Sequence, residues 1–175
     1  MTIKKNQKKA IPSTIGSIRG SSSSSLDKFD IHILKILQKN SEVSMNELGE
    51  HVGLSHTPCW RRIKKLEEEG FIKQRVTLLA PKPLNLTVNV HAYITIKSHD
   101  ESSLLAFECA VQDIPDIVEC YSITGDKDYM LRIVAEDVNS YEKLLKNKLV
   151  HLPNVASVNS IFALKQVKYT TELPL

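Results

Sequence analysis

The stretch SHTPCWRRIKKLEEEG, Ser55 to Gly70, has the pattern of a single helix with defined ends. Ser55 is a favoured N-cap residue. Pro58 falls in the first turn, where a missing backbone N–H costs little. Gly70 suits the left-handed residue that commonly follows the last helical turn. The sequence therefore predicts where this helix begins and ends.

The two sides of this predicted helix differ in chemistry. At 100° per residue, one stripe is apolar and the stripe roughly opposite is polar. The apolar stripe consists of Cys59, Ile63 and Leu66, and the polar stripe consists of Thr57, Arg61, Lys64 and Glu68. We expect the apolar stripe to pack on the rest of a domain and the polar stripe to face a partner.

Two shorter helices are predicted upstream. Asp27 can cap a helix whose apolar residues recur at helical spacing, and the polar residues 40–42 end it. Those apolar residues are Phe29, Ile33, Ile36 and Leu37. Ser44 and Glu47 form a capping box that opens the second helix, and Gly53 closes it. Three helices with a glycine-containing turn before the last are typical of a helix-turn-helix domain.

The pattern changes after this domain. Residues 71–79 are β-branched and apolar, so they can form either a small wing or a strand that leads out of the domain. Pro81, Pro83 and Asn85 then mark a hinge over residues 81–89.

The second half of the chain predicts a different fold. Apolar and polar residues alternate from Val90 to Lys97, as in a half-buried strand. A helix stripe, two strand-like stretches, a second helix stripe and a final strand follow, over residues 104–111, 117–124, 129–135, 138–149 and 155–167. The order β-α-β-β-α-β predicts a ferredoxin-like sheet with both helices on one face. Its other face must be covered by a second copy of the chain.

Charge divides the chain in the same place. Residues 1–85 hold 15 Lys and Arg against 8 Asp and Glu, whereas residues 86–175 hold 8 against 12. The first half is therefore suited to a polyanion. Residues 1–25 carry lysines and a run of five serines, and we interpret them as a disordered basic arm. This arm is either a tail that contacts phosphates or a solvated leader.

Other classes of protein find little support in the composition. The 42% of hydrophobic residues supports real cores, but no run approaches a membrane span and no secretory signal is present, which favours a cytoplasmic globular protein. Cys59, Cys109 and Cys120 are odd in number and widely spaced, so they predict reduced thiols rather than disulfides or a zinc site.

The chain from Leu26 to Val167 resembles the leucine-responsive regulatory protein/AsnC (Lrp/AsnC) family of prokaryotic transcription regulators. The resemblance rests on LDKFDIHILKILQKN, ELGEHVGLSHTPCWRRIKKLEEEGFI, ITGDKDYML and the LPNV turn. It implies an α+β protein in which a winged helix-turn-helix domain, residues 26–80, precedes a ferredoxin-like βαββαβ effector and oligomerisation domain. We place that second domain at residues 90–168 and a C-terminal tail at 169–175. The basic arm departs from the family pattern.

DNA binding by the Ser55 helix is what the resemblance implies, and the residues agree. Thr57 and Arg61, with His56 as a third candidate, are placed to reach base edges. Arg62, Lys64 and Lys65 lie where phosphates are expected partners, and Ser55 is a further candidate for DNA contact. Trp60 sits between the two stripes and can either pack at the rim or touch bases. Arg61 can alternatively pair with the glutamates that follow it. We expect a palindromic double-stranded operator, bound by a homodimer that assembles further into a tetramer or octamer, in the nucleoid.

The resemblance also implies an amino-acid effector at the turn between the second and third strands. Glycine allows close backbone approach, and an aspartate can pair with an ammonium group. The candidate residues are Gly125, Asp126, Asp128 and Tyr129, with Val138, Ile161 and Ala163 as apolar partners from a neighbouring strand or subunit. A good hairpin turn would explain the same composition.

The sequence favours a regulator over an enzyme. It contains no phosphate-binding loop, no His-Glu-x-x-His and no Gly-x-Ser-x-Gly, so we expect no catalytic residues, metal or cofactor. The alternative is an enzyme of the same architecture, resembling tetrapyrrole decarboxylases that have lost DNA binding. A stand-alone small-molecule sensor is a second alternative. The basic displayed stripe argues against the enzyme, and the intact helix-turn-helix argues against the sensor.

Overall fold

The computed structural model describes residues 25–175 and divides them into two compact units. The first unit runs to Arg75 and also includes Thr171–Leu175, and the second comprises Val76–Thr170. The first unit holds three helices, which are α1 (Lys28–Leu37), α2 (Met45–Val52) and α3 (His56–Glu68). The predicted basic arm lies outside the described residues, except for its last position.

Side-chain caps fix where the first two helices begin. Asp27 and Asp30 form a capping box at α1, and Ser44 and Glu47 form the predicted one at α2. In each case the first side chain accepts from a backbone N–H of the opening turn and the second accepts from the cap's own N–H. These bonds satisfy backbone donors that a helix start leaves free.

Glycines set the turn between α2 and α3. Gly53 follows α2 with φ +71°, a left-handed conformation that a residue with a Cβ rarely adopts. Gly49 is buried inside α2, and a Cβ there would lie 2.5 Å from the carbonyl oxygen of Leu54. The close approach of this carbonyl therefore requires glycine at position 49, which the sequence analysis did not identify.

A small apolar core holds the three helices together. It consists of Ile33, Leu48, Val52, Cys59, Ile63 and Leu66. The last three are the apolar stripe predicted for α3, and all three are buried. Gly70 has φ +79°, and the N–H of Ile72 bonds the carbonyl of Leu66 at 3.1 Å, which closes α3 as predicted.

The second unit is a four-stranded antiparallel sheet with two helices. Its elements are β1 (Val88–Ile96), α4 (Glu101–Gln112), β2 (Ile117–Ser122), β3 (Tyr129–Ala135), α5 (Val138–Asn147) and β4 (Val155–Phe162). The strand order is β2-β3-β1-β4, so β1 and β3 are central. The predicted βαββαβ order is confirmed.

Both helices cover the same face of the sheet. Phe107 of α4 contacts Tyr129 of β3 with ring centroids 4.6 Å apart, and Tyr141 of α5 contacts Phe162 of β4 at 5.3 Å. Val90, Ala92 and Ile94 of β1 point to this side and are fully buried. Because side chains alternate along a strand, the intervening residues of β1 form the opposite face, which neither α4 nor α5 covers.

Two predicted strands differ from those observed. The wing or exit strand expected over residues 71–79 is not formed, since the described chain there has no assigned strand. The final strand was expected to reach Val167 but ends at Phe162. Beyond it, Leu164 and Val167 are almost fully exposed, and the strand-like composition of these stretches has no partner strand in the described chain.

Candidate nucleic-acid interface and effector site

The exposed side of α3 contains most of the residues predicted to contact DNA. These residues are exposed over the first three turns of α3. They are His56, Thr57, Trp60, Arg61, Lys64 and Lys65. Ser55 is the N-cap residue, but its side chain makes no capping bond, so its hydroxyl group is left for another partner. Seven of the eight predicted residues therefore lie on one accessible surface.

Arg62 differs from the other basic residues of α3. Its Nη1 lies 2.7 Å from a carboxylate oxygen of Asp27 and 2.7 Å from one of Asp30, and its guanidinium lies over the Phe29 ring. The hydrogen bond to Asp30 is the main cause that raises the pKa of Arg62. Arg62 thus ties α3 to α1. Its partners are 32 and 35 residues away, so no local pattern could have predicted the pairing.

The neighbouring cations have different surroundings. Lys64 lies 2.7 Å from Glu67, and Lys65 lies 3.9 Å from Glu69. Within residues 25–175, Arg61 makes no ion pair with a glutamate, which was the alternative considered for it. Trp60 is 48% exposed, so packing at the rim of the domain covers only about half of its surface. Arg61 and Trp60 are therefore both accessible on the exposed side of α3.

The candidate effector turn joins β2 to β3 over residues 123–128. Gly125 has φ +117°, and a Cβ there would meet nothing within 4 Å. Glycine is therefore favoured by the positive φ and not by a lack of room for a side chain. The side chain of Asp126 is exposed. The carbonyl of Asp128 accepts from the N–H of Ile123 at 2.9 Å, which closes the turn.

The carboxylate of Asp128 is already bonded within the unit. One oxygen accepts from the backbone N–H of Ile96 at 2.7 Å, and the other lies 2.7 Å from Nε2 of His99. The Ile96 hydrogen bond, followed by the His99 contact, holds the pKa of Asp128 below its ordinary value. Asp128 therefore fixes the turn against the end of β1, a role that the sequence did not reveal.

Tyr129 is buried, and its hydroxyl group donates to Glu108 of α4 at 2.8 Å. Burial, with this carboxylate next, raises the pKa of the tyrosine. The ring packs on Phe107 in the core. Of the four turn residues predicted to contact an effector, Gly125 and Asp126 are exposed, Asp128 is half-buried and Tyr129 belongs to the core.

The apolar effector residues lie at the other end of the sheet. The turn reaches β1 at Ile94, whose carbonyl accepts from Asp128, while the N–H of Ala163 bonds the carbonyl of Asn89. Five residues of strand separate these two points, or roughly 16 Å at about 3.3 Å per residue. Ile161 and the exposed Val138 also lie towards the Asn89 end. One chain does not bring these residues to its own turn.

Residues 25–175 contain no group of three or more His, Cys, Asp or Glu side chains arranged to hold a metal ion. None of the described helices combines the length and the apolarity that crossing a membrane requires.

Comparison with known proteins matches both units. Residues 26–73 match the family model described as winged helix-turn-helix DNA-binding, and residues 90–173 match that of the Lrp/AsnC ligand binding domain. The glutamate uptake regulatory protein of Zymomonas mobilis is 41% identical over 150 residues, covering 86% of this chain and 91% of that protein.

Two solved structures are also similar to this chain. A transcriptional regulator from Neisseria meningitidis, in complex with L-methionine, has a TM-score of 0.82 and 35% identity, covering 86% of this chain and 97% of that one. An AsnC family transcriptional regulator from Agrobacterium tumefaciens has a TM-score of 0.81 and 44% identity, covering 85% and 97%.

Proposed function

This chain belongs to the Lrp/AsnC family of transcriptional regulators, and from that membership we propose that it reads a palindromic operator through α3. Base contacts come from His56, Thr57, Trp60 and Arg61, and phosphate contacts come from Ser55, Lys64 and Lys65. Arg62 holds α3 in place through Asp27 and Asp30 and takes no direct part in reading bases.

The observation that carries this proposal is the exposed Arg61, which forms no ion pair among residues 25–175 and lies beside Thr57 on a helix whose opposite stripe is buried. An arginine in the major groove can bond guanine through two donors, and such a pair discriminates against a wrong base. Flanking lysines supply contacts to phosphates, which position the helix but carry no sequence information. Major-groove binding calls for base-reading side chains near the start of the helix and phosphate-binding cations further along, and α3 has this arrangement.

A matched pair of variants tests this assignment. Operators are first selected from a pool of random duplexes, and binding is then measured by mobility shift over a salt series. Arg61→Ala should reduce discrimination between operator and random duplex by about 1–3 kcal/mol. Lys65→Ala should weaken binding to both duplexes alike and reduce the salt slope by about one unit. Equal loss of specific and non-specific binding in Arg61→Ala would refute its role.

The rival function is catalysis on the same architecture. The similar proteins described above are transcriptional regulators. An enzyme that does not bind DNA would have no use for the exposed cations of α3. We therefore assign no catalytic activity to this chain. As a DNA-binding regulator of transcription, it is expected to act in the cytoplasm, at the nucleoid.

The open face of the sheet supports a dimer. This face carries Tyr93 and His91 of β1 beside Met130 and Arg132 of β3, and these side chains are only half-buried in one chain. The side-chain oxygen of Asn89 on the same face is buried without a hydrogen-bond partner among the described residues. A second copy would cover the apolar groups and offer donors to this oxygen.

Sedimentation tests the dimer and any further tetramer or octamer. Tyr93→Glu places a charge in the centre of the open face and should shift the wild-type assembly towards monomer. Leu105→Glu makes the same change on α4, where the side chain is 51% exposed, and should leave the mass unchanged. A wild-type monomer at micromolar concentration, or an unchanged mass for Tyr93→Glu, would contradict this part of the proposal.

An amino acid is the proposed effector, bound at the 123–128 turn. One solved relative is named as a complex with L-methionine. Asp126 is exposed and can accept an ammonium group, while the backbone around Gly125 can be approached closely. Since Val138, Ile161 and Ala163 lie at the far end of the same sheet, any apolar contact from them comes from another subunit.

A thermal-shift screen of the twenty amino acids tests the effector site, because a ligand that binds only the folded state raises the melting temperature. Asp126→Ala should abolish the shift. Asp128→Asn keeps an oxygen for the Ile96 N–H and should reduce the shift only if Asp128 also meets the ligand. If no amino acid stabilises the wild type, or if a shift survives Asp126→Ala and Asp128→Ala, the turn is not the effector site.

A further inference from the structure

Helix α1 carries a basic stripe that DNA reading by α3 does not use. Lys28, His32, Lys35 and Lys39 follow one another at intervals of four, three and four residues and are all exposed. Residues at this spacing lie on one side of a helix. Asp30 and Ile33, which pack towards α3 and the core, lie on the opposite side of α1. The stripe is therefore on the side of α1 that faces away from α3 and the core.

The stripe borders two adjoining clefts that share His32 and Lys35, which we call the α1 groove. The first cleft is lined by Lys28, Phe29, Ile31, His32, Lys35 and Val52. The second is lined by His32, Lys35, Ile36, Lys39, Asn40, Val43 and His51. Neither lining contains a carboxylate. The groove thus combines apolar side chains on its walls with cations and histidines along its length.

The two carboxylates at the start of α1 do not neutralise this charge. Asp27 and Asp30 are both bonded to Arg62, on the other side of the helix. Lys28 and Lys35 form no ion pair among residues 25–175, and such unpaired positive charge attracts an acidic partner and steers its approach. The groove is therefore electrostatically suited to a carboxylate-bearing surface.

The last residues of the chain show what kind of segment the end of the groove accepts. Glu172 lies 3.8 Å from Lys39. The side chain of Gln38 donates to the carbonyl of Leu173 at 3.1 Å and accepts from its N–H at 2.9 Å, so it pairs with the backbone as a neighbouring strand would. Glu172 is thus bound at this end and Leu173, which is 69% exposed, is held through its backbone, whereas Lys28, His32 and Lys35 have no such segment beside them among residues 25–175.

We propose that the α1 groove docks an acidic, leucine-bearing segment of a partner protein while α3 is bound to its operator. Cations along the groove pair with the partner's carboxylates, and leucines enter the clefts against Phe29, Ile36, Val43 and Val52. Phosphates of a second duplex would find the same cations but gain nothing from these apolar walls. This surface is separate from the operator contacts, so the proposal stands or falls independently of them.

Fluorescence anisotropy on the full chain bound to its selected operator tests this docking. The probe is a labelled synthetic peptide of sequence Glu-Leu-Asp-Glu-Leu-Leu-Glu-Asp-Leu. It should bind the wild-type complex with micromolar affinity. His32→Glu combined with Lys35→Glu should weaken peptide binding at least tenfold while operator affinity stays the same.

The control is Lys73→Glu combined with Lys82→Glu, which replaces two exposed cations outside the groove and should leave peptide binding within about twofold of the wild type. A scrambled peptide with serine in place of leucine should bind much more weakly. The proposal is overturned if the peptide does not bind below 1 mM, if both double variants lose affinity equally, or if a short random duplex displaces the peptide as well as an unlabelled copy does.

Discussion

In the first unit the candidate contact residues lie on α3, one helix of 13 residues, whereas in the second unit they lie at opposite ends of a sheet. Thr57 and Arg61 are a single helical turn apart. The effector turn and Ala163 are separated by the length of β1. The proposed DNA surface, made by local spacing, is complete in one chain, whereas the proposed effector site, made from distant strands, would need another copy to bring its residues together.

The cores of the two units differ in the same way. Six buried hydrophobic residues hold the three helices together, and sixteen fill the space between the sheet and its two helices. The small core is supplemented by the pairing of Arg62 with Asp27 and Asp30. We therefore expect the helical unit to depend on polar contacts to a degree that the sheet unit does not.

The largest expected effect is on the core of the second unit. Phe107 is fully buried, and Phe107→Ala should cost about 3–5 kcal/mol through lost burial and the cavity left behind. Hydrogen exchange should show the loss of protection in the sheet amides and leave α1 to α3 unchanged. Leu105→Ala, on the exposed side of the same helix, is the control. Equal loss of protection in both units would show that they do not behave as separate cores.

A smaller effect distinguishes two adjacent arginines. Arg62→Ala leaves the buried carboxylate of Asp30 without its partner and should lower the free energy of unfolding of the first unit by about 1–3 kcal/mol. Arg61→Ala should change that free energy by no more than about 0.5 kcal/mol, because its side chain is exposed. Urea denaturation followed by hydrogen exchange measures both. If both variants were equally stable, Arg62 would not tie α3 to α1.

The smallest effect is confined to acid conditions and to the second unit. Because the pKa of Asp128 is lowered from its ordinary 3.8, its charge contributes stability that is present above 3.8 and lost as the pH falls through the lowered value. Asp128→Asn should therefore be less stable than the wild type at pH 6 and approach it at low pH. Asp128→Ala also removes the acceptor for Ile96 and should be less stable throughout. A constant difference for Asp128→Asn would contradict the role of the charge.

Sequence patterns predicted the features that depend on neighbours along the chain. The caps at Asp27 and Ser44, the buried stripe of α3 and the alternation of β1 are all local, and the structure confirms them. The same local reasoning overextended the last strand to Val167, because β-branched composition does not show whether a partner strand exists.

Roles that depend on distant contacts could not be predicted. Arg62 shares the chemistry of Arg61, and only the fold shows that it meets Asp27 and Asp30. Asp128 resembled a free ligand for an ammonium group until its bonds to Ile96 and His99 placed it in the framework of the turn. The sequence around Gly49 did not indicate that the carbonyl of Leu54 approaches it so closely. The first two roles depend on residues far apart in the sequence, and that of Gly49 depends on the path of the backbone through the turn after α2.

The fluorescence of Trp60 tests most directly that the exposed side of α3 is the surface that meets DNA. Trp60 is the single tryptophan of the chain and is 48% exposed on that surface, so its emission reports on α3 alone. Titration with the selected operator should change the emission and saturate at the same concentration as the anisotropy of labelled operator. An amino-acid effector without DNA should change it far less. Unchanged emission from Trp60 at saturating operator would contradict the assignment of α3 as the reading helix.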